Sequence, residues 1–312
     1  MKTLRNLVFP ILFICASCSK ESNPVNNDNS GNEFIKISEP QLIIKDGSHP
    51  EWSPDGTQIA YTGWSDETKQ DIFIASKDGS TIQQITFEVS YDNHPFWSPD
   101  GRSLGFSSNR VDEQRYYIFT VSTDNEEIKQ VSPDTVLVQA GDWSPDGNKI
   151  VFDGLFSTNT EDHFLGLTDL STNETEFFLA DATYKGWPQF SPDGAQVVFE
   201  SLLSHDYNIW TANTDGSNLT QITTVGGEYP TWSPDGEWIL YSNLESGNYD
   251  LFIIKSDGSQ EADKVMDTKD ANEVRASWSS DGKSIIYDTM LGTENVKPEN
   301  AGIYVVEIEF LK

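Results

Sequence analysis

The chain has 312 residues, of which 36% are hydrophobic and 12% aromatic, and this is enough apolar material for a large domain with one core. Its 50 acidic residues outnumber its 20 basic residues, so the formal net charge is −30. Such a charge argues against nucleic acid or an anionic membrane face as a ligand, because both would repel the protein.

The N-terminal segment resembles a bacterial lipoprotein signal. A short basic start with Lys2 and Arg5 is followed by an apolar stretch at 6–16, which is too short to span a bilayer. That stretch ends at Cys15-Ala-Ser-Cys18, and in such signals small residues precede the cysteine that receives the lipid. We predict a signal peptide at 1–17 and lipidation of Cys18; the alternative is an ordinary secretory signal with two incidental cysteines.

The next segment, residues 18–36, is polar and rich in Asn and Ser, which is typical of a flexible tether. A lipid on Cys18 would attach the protein to a membrane through the anchor only. We therefore expect a location in the bacterial cell envelope, at the outer membrane, and the sequence leaves open whether the protein faces the periplasm or the exterior.

A five-residue motif, Trp-Ser-Pro-Asp-Gly, recurs through the rest of the chain. Its copies begin at Trp52, Trp97, Trp143, Phe190, Trp232 and Trp278, the last with Ser in place of Pro, and successive copies start 42 to 47 residues apart. A period of this size indicates a supersecondary unit that buries its apolar faces by stacking on copies of itself.

Each repeat has the pattern of four short antiparallel strands. In the first repeat the Pro-Asp-Gly turn follows a short run at 50–53, and further strands are predicted at 58–61, 71–75 and 82–85. Four such strands form one propeller blade, so we predict an all-β, six-bladed propeller over residues 37–312. The sixth repeat lacks a fourth strand, and we expect residues 41–44 to supply it by pairing with residues 302–310.

The repeat resembles the TolB-type propeller repeat. The resemblance rests on Pro-x-Trp-Ser-Pro-Asp-Gly followed by Ile-x-Tyr, Asp-Ile-Phe, Asp-Gly-Ser and Gln-Ile-Thr, which is clearest at 50–86 and 230–259. It implies a propeller over roughly residues 37–312. Repeats of this type serve in envelope scaffolds and in the non-catalytic domains of some peptidases, so the resemblance alone does not set the function.

The candidate site lies on one rim of the predicted propeller. The Asp-Gly turns share one rim, the turn rim, while the loops between second and third strands and the crossovers between blades share the other, the loop rim. The residues just before the first-strand proline, or its substitute, should ring the mouth of the central channel on the loop rim. They are His49, His94, Ala140, Trp187, Tyr229 and Arg275, with Asn93, Glu228 and Glu273 beside them. Such a mixed ring of imidazole, aromatic, guanidinium and carboxylate groups predicts a ligand-binding mouth.

Catalytic and metal-binding patterns are weak in this sequence. The four histidines, His49, His94, His163 and His205, all fall on the loop rim, with Asp92, Asp162 and Asp206 as further potential ligands. They belong to four different blades without a tight ligand spacing, so we predict no metal and no cofactor, with a divalent cation as the alternative. The Gly-x-Ser-x-Gly match at 101–105 falls on a hairpin instead of a strand–turn–helix elbow, and we predict no catalytic residue there.

Two functions follow from these patterns. The first is a lipid-anchored, monomeric binding or scaffold protein that presents its loop rim to an envelope protein or glycan. The alternative is an enzyme at the channel mouth, such as a metal-assisted lyase or hydrolase of acidic oligosaccharides, with His49 or His94 as ligand or base and Arg275 holding a carboxylate.

Overall fold

The structure of the protein, a computed structural model, describes most of the repeat region. The described residues are 35–66, 69–87, 90–124, 127–156, 159–245, 247–266, 271–289 and 302–311. All of them belong to one unit, Glu33–Lys312. The predicted signal peptide at 1–17, Cys18 and the predicted tether up to residue 34 lie outside the described residues. Within the described ranges, no helix has the length and apolar character needed to cross a membrane.

The described residues form 25 strands in six antiparallel sheets. In chain order the strands are β1 (Ile35–Ile37) and β2 (Gln41–Lys45); β3 (Ser48–Trp52), β4 (Gln58–Asp66), β5 (Lys69–Ser76) and β6 (Ile82–Gln84) of blade one; β7 (Asp92–Trp97), β8 (Ser103–Asp112), β9 (Arg115–Ser122) and β10 (Ile128–Gln130) of blade two; β11 (Val136–Trp143), β12 (Lys149–Phe156), β13 (Asn159–Asp169) and β14 (Thr175–Asp181) of blade three; β15 (Lys185–Phe190), β16 (Gln196–Ser201), β17 (Asn208–Asn213) and β18 (Thr220–Gln221) of blade four; β19 (Glu228–Trp232), β20 (Trp238–Glu245), β21 (Asn248–Lys255) and β22 (Asp263–Lys264) of blade five; and β23 (Glu273–Trp278), β24 (Ser284–Thr289) and β25 (Gly302–Phe310) of blade six.

This arrangement is the predicted six-bladed propeller, and the N-terminal strands close it. Strand β2 pairs antiparallel with β25, with Gln41 opposite Val305, which confirms the predicted fourth strand of blade six. Strand β1 extends the same edge of β25, and it begins at Ile35, two residues before the predicted start of the propeller. The first strand of each blade contacts the first strand of the next, and β23 contacts β3, so the ring is continuous.

The core consists of six apolar clusters, one in each gap between neighbouring blades. The second strand of each blade is covered on both faces, so consecutive residues along it belong to different clusters. In β4, Ile59 and Tyr61 pack against blade six, whereas Ala60 packs against blade two. Burial on both faces explains why the second strands read as continuous apolar runs instead of alternating apolar and polar residues.

The repeated Ser-Pro-Asp-Gly segment forms the same hydrogen-bonded turn in every blade. In blade one, Ser53 Oγ donates to Asp55 Oδ1 at 2.7 Å and accepts the N–H of Gln58 at 2.9 Å. The same two bonds recur in the other five copies. Gly56 has a φ of 68°, a left-handed conformation that glycine adopts without strain. The repeated aspartate is therefore a turn residue, as its position in the motif predicted.

Neighbouring turns also contact one another around the turn rim. A Cβ atom added to Gly147 would lie 3.5 Å from Pro99 of the preceding blade, and one added to Gly194 would lie 3.5 Å from Pro145. In blade one, the neighbour of Gly56 is Ser280, the residue that replaces proline in blade six. The motif thus holds the strands of one blade together and also spaces adjacent blades.

We expect Ser233→Ala to destabilise the propeller by about 1–3 kcal/mol, because it removes the acceptor of the buried Trp238 N–H. The measurement is the free energy of unfolding from urea titration. Ser217→Ala is the matched control, since Ser217 also donates to an aspartate, Asp215, but is exposed. If both substitutions lower the free energy of unfolding equally, the hydrogen bond from the buried Trp238 N–H is not the source of the stabilisation by Ser233.

Candidate functional site

The first strand of each blade carries a β-bulge near the loop rim. In five blades the residue at the bulge is left-handed, with φ between 51° and 55°: His49, His94, Trp187, Tyr229 and Arg275. Ala140, at the same position in blade three, is not among the left-handed residues. A bulge redirects the side chain that it carries, and a positive φ in bulky residues is a strained conformation that surrounding contacts must maintain.

These six residues line one cavity at the axis of the propeller, so the structure brings the predicted ring together. The volume of the cavity is about 60 Å³, enough for only a few water molecules. Asn93, Glu228 and Glu273 are not among the residues that line it. Asn93 contacts Ser107, Glu273 is fully buried, and Glu228 lies farther out on the loop rim.

Stacked side chains fill the mouth of this cavity. The ring centroids of His49 and His94 are 4.1 Å apart, and those of His94 and Trp187 are 4.7 Å apart. Trp187 also packs edge-on against Tyr229 at 4.9 Å. Edge-to-face contacts of this kind stabilise aromatic clusters beyond the area that they bury. The mouth is therefore a packed plug rather than an open funnel.

Arg275 connects this plug to the wall of blade six. Its Nη1 donates to His49 Nε2, and its Nη2 donates to Asp288 Oδ1 at 3.0 Å. His49 therefore carries its proton on Nδ1, which lies 3.0 Å from Ser48 Oγ. Burial, together with the charge of Arg275, holds the pKa of His49 well below its usual value. Burial lowers the pKa of His94 to about 3, so both imidazoles are neutral at physiological pH.

The sequence reasoning missed a second ring of polar residues on the second strands. Asp288 accepts the N–H of His49 at 2.7 Å, and Glu200 accepts the N–H of Tyr229 at 2.8 Å. Thr62 accepts the N–H of His94 at 3.2 Å. Each bond crosses from one blade to the left-handed residue of the next. The sequence does show a pattern that marks this ring: in the second strand of each blade, a polar residue directly follows the aromatic residue. These polar residues are Thr62, Ser107, Asp153, Glu200, Ser242 and Asp288.

The other candidate ligands do not converge. His163 packs against Tyr184, with ring centroids 5.4 Å apart, and Asp92 forms an ion pair with Arg110 at 2.8 Å. In the part of the chain that the structure describes, no group of three or more His, Cys, Asp or Glu side chains could hold a metal ion. Ser103 of the Gly-x-Ser-x-Gly match lies at the start of β8 opposite Ser122, so it occupies a hairpin strand and not a nucleophile elbow.

The buried carboxylates should make stability fall as pH rises. Burial raises the pKa of Asp153 to about 7 and that of Glu200 to about 8. Between pH 4 and these values the folded state binds more protons than the unfolded state, so the free energy of unfolding decreases, by at most about 1.4 kcal/mol per pH unit for each group. We expect Asp153→Asn to remove part of this decrease between pH 5 and 8, measured by urea unfolding.

Asp257→Asn is the control for that experiment. Its carboxylate is exposed, and hydrogen bonds from Ser259 lower its pKa, so it stays ionised across the whole range. In Asp257→Asn, the slope of the free energy of unfolding against pH should match that of the unmodified protein. An unchanged slope in Asp153→Asn would contradict a raised pKa for Asp153.

Several solved structures share this fold. TolB from Acinetobacter baumannii is 19% identical, with 82% of this chain and 64% of that chain covered and a TM-score of 0.65. The putative TolB from Agrobacterium tumefaciens is 19% identical, with 89% and 99% covered and a TM-score of 0.66. Oligogalacturonate lyase from Vibrio parahaemolyticus is 15% identical, with 88% and 96% covered and a TM-score of 0.58.

At these identities the similarity shows the fold, and this chain spans 64% of the length of the Acinetobacter protein. No curated protein matches the sequence. The family model described as the TolB β-propeller domain matches residues 45–164 and 143–301, which together span most of the chain. The protein therefore belongs to the TolB β-propeller family.

Proposed function

We propose that this protein is a binding module of the bacterial cell envelope, anchored by a lipid on Cys18, that presents its loop rim to a partner protein. A glycan is the other partner that the rim composition admits. The observation that carries the proposal is the distribution of exposed apolar side chains on the loop rim, together with the filled channel mouth beneath them.

The filled mouth favours binding on the rim over chemistry inside the channel. Pockets for small-molecule substrates usually have volumes of several hundred Å³, whereas this cavity has about 60 Å³. The cavity is bordered by His49, His94 and Arg275, all of which are buried and hydrogen-bonded to neighbouring protein groups. The hydrogen bonds of His49 Nε2 and of the Arg275 Nη1 and Nη2 atoms connect the plug to blade six.

The exposed apolar residues favour a protein as the partner. Five large apolar side chains are exposed on the loop rim: Phe87, Val111, Tyr207, Val225 and Leu244. Val225 is 78% exposed and Phe87 is 64% exposed. Aliphatic and aromatic side chains of this kind supply the desolvated centre of a protein interface. A net charge of −30 favours a partner with basic or neutral groups and disfavours nucleic acid.

The enzyme alternative receives less support. One structural neighbour is named as an oligogalacturonate lyase, and another as an oligogalacturonate lyase in complex with manganese, but each is 15% identical to this chain. Among the described residues, no group of three or more His, Cys, Asp or Glu side chains could hold a metal ion. The similarity therefore supports a shared fold without carrying over the reaction.

The proposal can be tested by crosslinking the full chain in intact cells and identifying the products by mass spectrometry. We expect one dominant partner protein, which Val225→Ser/Leu244→Ser should lose because the change removes apolar area from the loop rim. Leu219→Ser/Ile82→Ser is the matched control: both residues are exposed and apolar but lie beside the turn rim. A partner lost only in this control would overturn the assignment of the loop rim.

The proposed anchor has a separate test. We expect Cys18→Ser to abolish incorporation of labelled palmitate and to move the protein from the membrane fraction to the soluble fraction, because the lipid is its proposed attachment to the membrane. Cys15→Ser is the control and should retain both properties. Lipid incorporation that survives Cys18→Ser would show that the anchor lies elsewhere.

A further inference from the structure

Three of the exposed apolar side chains on the loop rim lie together where blades four and five meet. They are Tyr207, Val225 and Leu244, which we call the blade four–five patch. Asn208 Oδ1, beside Tyr207, accepts the N–H of Gly226 at 3.2 Å. Asn243, beside Leu244, donates to the Val225 carbonyl at 3.3 Å. The three segments that carry the patch are therefore bonded directly to one another.

The backbone holds Val225 in its exposed position. The next residue, Gly226, has a φ of 107°, which residues with a Cβ atom rarely adopt, and a Cβ atom there would collide with Asn243 Oδ1. The same Asn243 side chain bonds the Val225 carbonyl, and the valine side chain remains 78% exposed. An apolar group that is fixed in this way loses little conformational freedom when a partner covers it.

The charge around the patch has a single sign. The stretch 186–254, which forms blade four and most of blade five, contains nine Asp and Glu residues and one His, but no Lys or Arg. Asp206, directly beside Tyr207, is exposed on the loop rim. Lys185, just before this stretch, is fully buried and bonds Asp181 at 2.7 Å, so it presents no free charge at the surface.

The loop rim of blade two differs in this respect. Its exposed apolar residue, Val111, directly follows Arg110, which forms an ion pair with Asp92 at 2.8 Å. In the same hairpin, Arg115 forms an ion pair with Asp112 at 3.4 Å. Charges of both signs therefore surround Val111, whereas the stretch that carries the blade four–five patch is acidic.

This combination of apolar area and negative charge selects the chemistry of the occupant. A second copy of this chain is disfavoured, because its net charge is also −30. An acidic protein segment would be repelled for the same reason. A segment with an apolar centre and flanking basic residues would be attracted to the acidic stretch and would cover the exposed side chains.

We propose that the blade four–five patch docks a segment of the partner protein in which apolar side chains are flanked by lysine or arginine. The apolar side chains would pack on Tyr207, Val225 and Leu244, and the basic residues would lie near Asp206. This inference rests on the proposed function and specifies the part of the loop rim that is used and the chemistry that the partner presents.

The test uses the purified full chain and fluorescein-labelled helical peptides, with binding measured by fluorescence anisotropy. The first peptide has leucine on one face and lysine on the other. A second peptide replaces every lysine by glutamate, and a third replaces every leucine by serine. We expect the first to bind and the other two to bind at least about tenfold more weakly, because each lacks either the charge or the apolar contact.

Asp206→Lys should weaken binding of the leucine–lysine peptide about tenfold, because it places a like charge beside the patch. The matched control is Glu261→Lys, which changes the net charge equally at an exposed residue of blade five near the turn rim, and binding there should be unchanged. Val225→Ser/Leu244→Ser should also weaken binding about tenfold, since it removes apolar contact area.

Unchanged melting temperatures of these variants exclude unfolding as the cause of weaker binding. Equal affinities of Asp206→Lys and Glu261→Lys would show that the peptide responds only to net charge, and this would overturn the inference. Full binding by Val225→Ser/Leu244→Ser, or equally tight binding of the glutamate peptide, would overturn it as well.

The same variants separate this inference from the proposed function. In the crosslinking experiment in cells, a partner that survives Asp206→Lys but is lost in Val225→Ser/Leu244→Ser overturns the basic chemistry and leaves the rim-binding function standing. Loss of the partner in Asp206→Lys, with retention in Glu261→Lys, supports both.

Discussion

In each blade, the hydrogen bonds of one serine hydroxyl set the register between the first two strands, and with it the side chain that reaches the channel mouth. The hydroxyl donates to the turn aspartate and accepts the N–H five residues later, so it fixes how strands one and two pair. In every repeat the residue that points into the channel mouth lies four positions before that serine: His49 precedes Ser53, and Arg275 precedes Ser279. A local turn on one rim thereby determines which side chain faces the axis at the other rim.

At the loop rim, this register produces backbone strain that hydrogen bonds to the preceding blade compensate. A left-handed His49 or Tyr229 is costly, and the bulge leaves its N–H without a partner in its own sheet. Asp288 and Glu200, each from the preceding blade, accept those N–H groups. The channel mouth is therefore built from contacts between blades, so its geometry depends on closure of the ring by the pairing of β2 with β25.

Much of this architecture could be predicted, because it repeats. The spacing of the motif and the absence of a fourth strand from the sixth repeat were sufficient to predict the propeller and its closure. The position just before the first-strand proline, or before its substitute in blade six, identified His49, His94 and Arg275. The plugged mouth was not predictable, since it depends on ring packing across four blades. The contacts of Tyr184, Tyr207 and Tyr249 were not predictable either, because these residues come from segments that differ in length from blade to blade.

The separation of the two rims explains how one fold accommodates different functions. The turns that fix strand pairing all lie on the turn rim, so changes in the loops opposite leave the register of Trp52, Ser53 and their equivalents intact. Loop residues such as Val225 and Tyr207 are exposed and carry little of the core. Their substitution alters what the rim binds at low cost to the six apolar clusters. Propellers that share this fold at 15–19% identity can therefore bear names as different as TolB and oligogalacturonate lyase.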